Sequence, residues 1–164
     1  MANRARIRML KRLIPLALLV VLPGVALAGP ASDAVRFFYA PDANETDPAN
    51  RDRFTDPALS KLAEYDASTN GGEELGCIDW VMAIDAQDVD EDELAKTLKL
   101  EEKVSGDTAT VTARFRLFAD EPSDREVVWS LRKVGGAWKV SDIASPVSDW
   151  RLSGLACTSG ADAE

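Results

Sequence analysis

The sequence predicts an α+β domain in which N-terminal helices pack on an antiparallel four-stranded meander. Three observations predict it. Apolar residues recur at helical spacing in the first third after residue 29, they alternate with polar ones from Leu98 onward, and each alternating run ends in a turn signal. Helices able to cover one face of such a sheet are the usual way its apolar side is buried.

Ser32-Asp33 precedes the run Ala34-Val35-Arg36-Phe37-Phe38-Tyr39 and Pro41 comes after it, which predicts a short N-capped helix stopped by proline. Residues 42–53 are polar, contain Pro48 and read as loop. Thr55-Asp56-Pro57 opens a second helix over residues 57–66, with Leu59, Leu62 and Ala63 at helical spacing, and residues 68–72 close it as a loop. The acidic residues after Val89 suit the start of a helix over 91–98. Residues 98–104 form the first strand, and Ser105-Gly106-Asp107 is a turn. Val111, Ala113, Phe115 and Leu117 then fall on one face, with Thr110, Thr112, Arg114 and Arg116 on the other. Val127, Trp129 and Leu131 alternate again, and Gly135-Gly136 turns the chain into a fourth strand over 138–143. Residues 148–156 suit a closing helix or an edge strand equally.

Residues 1–28 read as an export signal rather than as part of the fold. Arg4, Arg6, Arg8, Lys11 and Arg12 precede the apolar stretch 13–22, and Ala26-Leu27-Ala28 is a small-x-small cleavage signal. A membrane anchor would need about 20 mostly apolar residues, whereas residues 13–28 carry Pro15, Pro23 and Gly24 within a shorter run. Cleavage after Ala28 is expected to leave residues 29–164 as one domain, with its core over about 32–157, in the periplasm or secreted and with no stable membrane insertion.

Removing the leader makes the chain more acidic. The whole sequence has 19 Lys+Arg and 28 Asp+Glu; without the five basic residues of the leader, 14 face the same 28, a net charge of −14. Nucleic acid is thereby excluded as a partner, because phosphate binding needs clustered Lys and Arg. A basic exported protein or a metal cation suits that charge, although the favoured reading is that acidity serves solubility alone.

Cys77 and Cys157 are the two cysteines, and in an oxidising compartment an even pair predicts a disulfide. A metal site is the weaker reading, with no histidine and no second thiol pair to complete it. The lack of histidine also excludes Ser-His-Asp and Cys-His hydrolysis and His-ligated zinc. Any catalysis would rest on carboxylates, Tyr, Lys or Arg, and no cofactor is expected.

Two stretches carry a resemblance. The segment Ile78-Asp79-Trp80-Val81-Met82-Ala83-Ile84-Asp85-Ala86-Gln87-Asp88 resembles the Leu-Asp-x-Asp-Pro-x-x-x-Ala-Gln-Asp signature of small exported bacterial proteins, the domain of unknown function 3828 family. Trp138-Lys139-Val140-Ser141-Asp142-Ile143 is similar to the Trp-x-Ile-x-Asp-Ile strand that closes those domains. Helices leading into a four-stranded meander likewise resemble the nuclear-transport-factor-two-like, or cystatin-like, superfamily. The resemblance covers residues 32–155 and implies a cone of helices on a curved sheet and an exported location; it implies no activity. The chain departs from the signature at its second Asp and its Pro, replaced by Val81 and Met82 or their neighbours, which weakens a catalytic reading.

The candidate catalytic residues are Asp79 and Asp85, with Tyr39 as a polar partner. A carboxylate desolvated beside Trp80 at the mouth of a cone could act as a general base. The structural alternative, favoured here, is that Asp79, Asp85, Gln87 and Asp88 bond the backbone of the turn between helices and sheet. Six carboxylates lie within residues 85–93, but calcium binding needs six to eight oxygens in a defined turn and the run lacks the central glycine. Trp129 and Trp138 fall in phase with apolar neighbours and are expected in the core; Trp80 and Trp150, with Gln87 and Asp88, are the candidate partner or ligand surface. Arg114 and Arg116 are expected to pair with surface carboxylates, and the polar face they share with Thr110, Thr112 and Ser130 predicts a monomer or weak dimer. The expectation is an exported domain that binds another exported protein or a small apolar ligand; the rival is a carboxylate-dependent enzyme such as an isomerase. A cone filled by Phe38, Leu62 and Trp129 would end the second reading.

Overall fold

The computed structural model describes residues 29–69, 76–120 and 122–157. The export signal, and residues 70–72 of the predicted loop, lie outside the described residues. What is described is an α+β fold in which a five-stranded antiparallel sheet is covered by short helices.

Helix α1 (Pro30–Arg36) runs into a 3-10 turn at Phe37–Tyr39. It begins earlier than Ser32-Asp33 predicts, because Pro30 at the first turn has no N–H to leave unpaired. Gly29, the N-cap, makes no side-chain cap; the Ser32 amide instead donates to the Glu102 carboxylate, 2.6 Å away. That partner lies 70 residues along the chain, out of reach of any local capping rule.

Residues 42–53 also depart from the expected loop. A 3-10 helix, Pro48–Arg53, starts at Asp47, whose carboxylate accepts the Ala49 N–H at 2.8 Å. Arg51 on this turn donates to the carbonyls of Glu45, Thr46 and Asp47 at 2.8–3.0 Å and to Asp66 at 2.7 Å. One guanidinium thus replaces the ladder hydrogen bonds that an irregular segment lacks. Arg51→Ala is expected to lower stability by about 2 kcal/mol in urea unfolding, since three carbonyls lose a charged donor; an unchanged midpoint would show the carbonyls to be adequately hydrated.

Helix α2 (Ala58–Ser68) buries Ala58 and Leu62, with Tyr65 packed beside them. Leu59 is 37% exposed and Ala63 is exposed, so the buried stripe is 58, 62, 65 rather than the expected 59, 62, 63. Helix α3 (Glu91–Thr97) forms where the acidic residues predict it. Asp90 caps it by accepting the Glu93 N–H at 2.9 Å.

The strands are β1 (Lys99–Ser105), β2 (Thr108–Arg116), β3 (Asp124–Val134), β4 (Ala137–Ser145) and β5 (Trp150–Arg151), in sheet order β1-β2-β3-β4-β5. The meander therefore has five strands rather than four; the fifth is two residues long and leads into a 3-10 turn, Leu152–Gly154. Val111, Ala113, Phe115, Val127, Trp129 and Leu131 all face the helices and are at most 3% exposed. Trp129 stacks on Phe38 with ring centroids 5.1 Å apart, and Phe38 meets Phe54 at 5.4 Å. Leu62 is fully buried, so helices and sheet meet in a filled interior.

Two details escape the alternating pattern. Ser130 pairs with Asp142 and Leu131 with Val140, leaving Ser141 as an extra residue whose hydroxyl donates to the Ser130 carbonyl at 3.1 Å. This bulge lets both Val140 and Ile143 reach the core. Trp138, expected in the core, is half-buried at the far end of the β3–β4 hairpin, where the Lys133 ammonium lies 5.8 Å from its ring centroid.

Cys77 and Cys157 form the disulfide, with Cα atoms 5.0 Å apart across 80 residues of sequence. Among the described residues no helix is long and apolar enough to cross a membrane.

Candidate functional site

Residues 77–90 wind from the disulfide to the cap of α3 and carry most of the candidate side chains. They do not converge. Asp79 is exposed and its backbone carbonyl accepts from Gln87 Nε2 at 3.3 Å. Asp88 is exposed and accepts the Val89 N–H at 2.8 Å. Gln87 and Asp88 thus make the local turn bonds that short Asp-rich segments favour.

Asp85 has a different setting. It adopts φ 52°, a left-handed conformation that Asp tolerates better than most residues, and it is 8% exposed. Its Oδ2 accepts from the hydroxyls of Ser145 and Ser148, both at 2.6 Å, and its Oδ1 accepts from Trp150 Nε1 at 2.6 Å. Arg125 Nε lies 4.0 Å from Oδ2. Both oxygens are therefore committed to the β4–β5 connection. The composition of the turn predicts backbone amides as partners; the actual ones are side chains 60 or more residues away.

Tyr39 is held elsewhere. Its ring meets Phe115 and Trp129 edge-on, and its hydroxyl accepts from Trp129 Nε1 at 3.2 Å. Burial holds the phenol pKa far above its ordinary value, outweighing the opposing hydrogen bond from Trp129, so the group stays protonated at any physiological pH. Trp80 and Trp150 do come together, edge to face at 5.4 Å, but the Trp80 N–H is buried with no acceptor among the described residues.

Two acidic residues carry more of the local architecture than sequence spacing suggests. Asp142 accepts from Arg151 and from the Ser153 hydroxyl, both at 2.8 Å, and from the Ser153 N–H at 3.1 Å, fixing the chain after β5. Glu45 is 1% exposed and accepts the Ala83 N–H at 2.6 Å, joining residues 42–53 to the candidate segment. Nothing in a polar, proline-containing stretch marks one carboxylate as buried. Burial pushes the Glu45 carboxyl up to about 7, against the lowering effect of amides from its own backbone, Ala83 and Met82.

The consequence for stability has a definite sign. Between its ordinary pKa and about 7 the folded state holds a proton that the unfolded chain has lost, so stability is full below about 4.5 and falls as pH rises through 7. The drop is expected to approach about 3 kcal/mol by pH 8. Glu45→Gln should flatten the profile between pH 5 and 8; urea midpoints that fall as steeply in the variant would assign the dependence to other groups.

The run 85–93 divides its carboxylates among unrelated tasks. Asp85 bonds Ser and Trp side chains, Asp90 caps α3, and Glu93, 4% exposed, pairs with Arg116. Among the described residues no three acidic or thiol groups are grouped so as to hold a metal ion. Arg114 pairs with both Glu101 and Glu126 at 2.7 Å, and those partners raise its pKa further.

The described residues hold two concavities near the candidate segment. One, of about 310 Å³, is lined by Asn44, Thr46, Ile78, Asp79, Trp80 and Gln87 among others. The other, of about 470 Å³, lies between residues 38–43, residues 81–89 and α3; Gln87 lines both. Neither contains Asp85, and Tyr39 and Asp79 fall in different ones.

No protein-family model and no curated protein matches the chain. Among solved structures, a chain in the crystal structure of the type VI native effector-immunity complex Tae3-Tai3 from Ralstonia pickettii is similar, with a TM-score of 0.49 and 15% identity over 73% of this chain and 97% of that one.

Proposed function

We propose that this chain is an exported interaction domain that binds a protein partner through its surface. The observation that carries the reading is the filled interior: Phe38, Leu62 and Trp129 occupy the space between helices and sheet, and none is more than 3% exposed. A small apolar ligand entering between helices and sheet would have to displace them. The alternative, a carboxylate-dependent enzyme, lacks a convergent site, because Asp79 is exposed, Asp85 is fully hydrogen-bonded and Tyr39 is held by Trp129.

Export is supported by the disulfide and by the basic-then-apolar leader ending in Ala26-Leu27-Ala28. Helices on one face of a meander fit the nuclear-transport-factor-two-like cone and, with the segment at 78–88, membership of the domain of unknown function 3828 family. The polar outer sheet face, its arginines already paired with Glu93, Glu101 and Glu126, supports a monomer or weak dimer.

The test is capture by the immobilised, oxidised chain from the exported proteins of the producing cell, then reconstitution of any captured protein in purified form. A stoichiometric, salt-sensitive complex is expected. A chain that captures nothing, yet whose melting temperature rises with a small apolar compound, would overturn the reading.

A further inference from the structure

The groove between residues 38–43, residues 81–89 and α3 differs in kind from the rest of the surface. Its floor is apolar, built from Pro41, Val81, Ile84, Val89, Leu94 and Leu98. Its rim carries the exposed carboxylates of Asp42, Asp88, Glu91 and Asp92, and among the described residues no Lys or Arg lines it. No residue of β1–β5 lines it, but Phe38 and Tyr39 do, so the groove opens at the surface and reaches the edge of the packed interior.

Those four carboxylates are not engaged in ion pairs with the described residues. The contrast is with the sheet face, where Glu101 and Glu126 are matched by Arg114, and with Glu93 of α3, which is matched by Arg116. Uncompensated charge around an apolar concavity is costly to the isolated chain through mutual repulsion, and the cost is recovered when a cation arrives. The volume of about 470 Å³ is that of a small-molecule cleft, of about 300–1,000 Å³, and leaves room for a single large apolar side chain.

We infer that this groove docks a segment of a partner polypeptide in which Lys or Arg flanks an apolar side chain, the apolar group entering between Ile84 and Leu94 and the cations meeting Asp42, Asp88, Glu91 and Asp92. This rests on the reading of the chain as an interaction domain. Charge complementarity selects the occupant. A second copy of the chain brings an excess of acidic groups, 14 Lys+Arg against 28 Asp+Glu without the leader, and is repelled. A neutral apolar molecule gains nothing from the rim, and a purely cationic one leaves the floor wet. The partner's anchor and its flanking charges are both needed.

The test uses the chain with its disulfide formed and short peptides in which lysines flank a central leucine, phenylalanine or tryptophan. Control panels replace the lysines by glutamate or the central residue by serine. The basic-apolar panel is expected to bind, more weakly as salt rises, while both controls fail. Asp88→Asn combined with Asp92→Asn should raise Kd by about tenfold or more; the Asn side chain can still accept the Val89 N–H, so folding is retained and is checked by the urea midpoint. Ala95→Trp, on the exposed groove side of α3, should block binding sterically.

Absence of binding by every peptide at millimolar concentration overturns the inference, as does equal affinity in Ala95→Trp, or equal binding of the serine panel. The two proposals fail separately. A protein partner captured equally by the parent chain and by Ala95→Trp would retain the interaction domain and remove the groove.

Discussion

Asp85→Ala is expected to lower the stability of this domain by about 4 kcal/mol, close to what single domains of this size can lose and remain folded. Three donors would lose their acceptor at once: the Ser145 and Ser148 hydroxyls and the Trp150 indole N–H, all at 2.6 Å. Hydrogen bonds to a charged group are worth about 1.5–3 kcal/mol each, and coupling within one network keeps the total below their sum. Alanine also accepts the φ of 52° less readily than Asp does, by roughly 1 kcal/mol.

Asp85→Asn gives the discriminating comparison. Its amide oxygen can serve Trp150 while its NH2 donates to a serine oxygen, and Asn tolerates the left-handed backbone, so a loss of about 1–2 kcal/mol is expected. Urea unfolding of both variants, with tryptophan fluorescence as a second probe, checks the order. If both variants unfold at the parent's midpoint, Asp85 is not holding the β4–β5 connection, and a chemical role for its carboxylate returns.

Reduction of the Cys77–Cys157 bond should have a comparable effect. On the chain-entropy model, cross-linking residues 80 apart removes about 4 kcal/mol of freedom from the unfolded chain. For a domain of this size that corresponds to a fall in Tm of about 15 °C. The double variant Cys77→Ser, Cys157→Ser should behave like the reduced protein, and its m-value should be lower than that of reduced parent only if new structure persists on unfolding. Matching melting temperatures for oxidised and reduced chains would mean that the unfolded ensemble is already restrained.

How much of this is legible in the sequence depends on the range of the interactions. The inward faces of β2 and β3 derive from period-two alternation, because every side chain there answers to its own strand's pleat. The cap of α3 by Asp90 is equally local. The start of α1 escapes local rules because its amide donor is satisfied by Glu102, and the stripe of α2 does so because Tyr65, not Ala63, completes it. The bulge at Ser141 depends on the Ser130 carbonyl across the sheet, which no one-dimensional period encodes.

The candidate residues divide the same way. Gln87 and Asp88 make the short-range bonds their composition predicts. Asp85, a candidate base by sequence, proves to be the acceptor for a hairpin turn 60 residues later, and Glu45 carries no signal because a buried carboxylate and a solvated one look alike in a polar stretch. The acidic run at 85–93 reads as a single charged block, yet the structure buries two of its members and leaves others exposed around an apolar groove.

The C-terminal end of the sheet is attached by two acids rather than by a ladder. β5 contributes only two paired residues; Asp142 grips the 3-10 turn beyond it, and Asp85 grips the connection that leads into it. A polypeptide cut short before Trp150 would therefore leave Asp142 without Arg151 and Ser153, and Asp85 without the Trp150 indole although Ser145 and Ser148 remain. The last turn of the fold is thus held by side chains reaching across from earlier in the chain, so its order depends on charge and hydrogen bonding more than on sheet pairing.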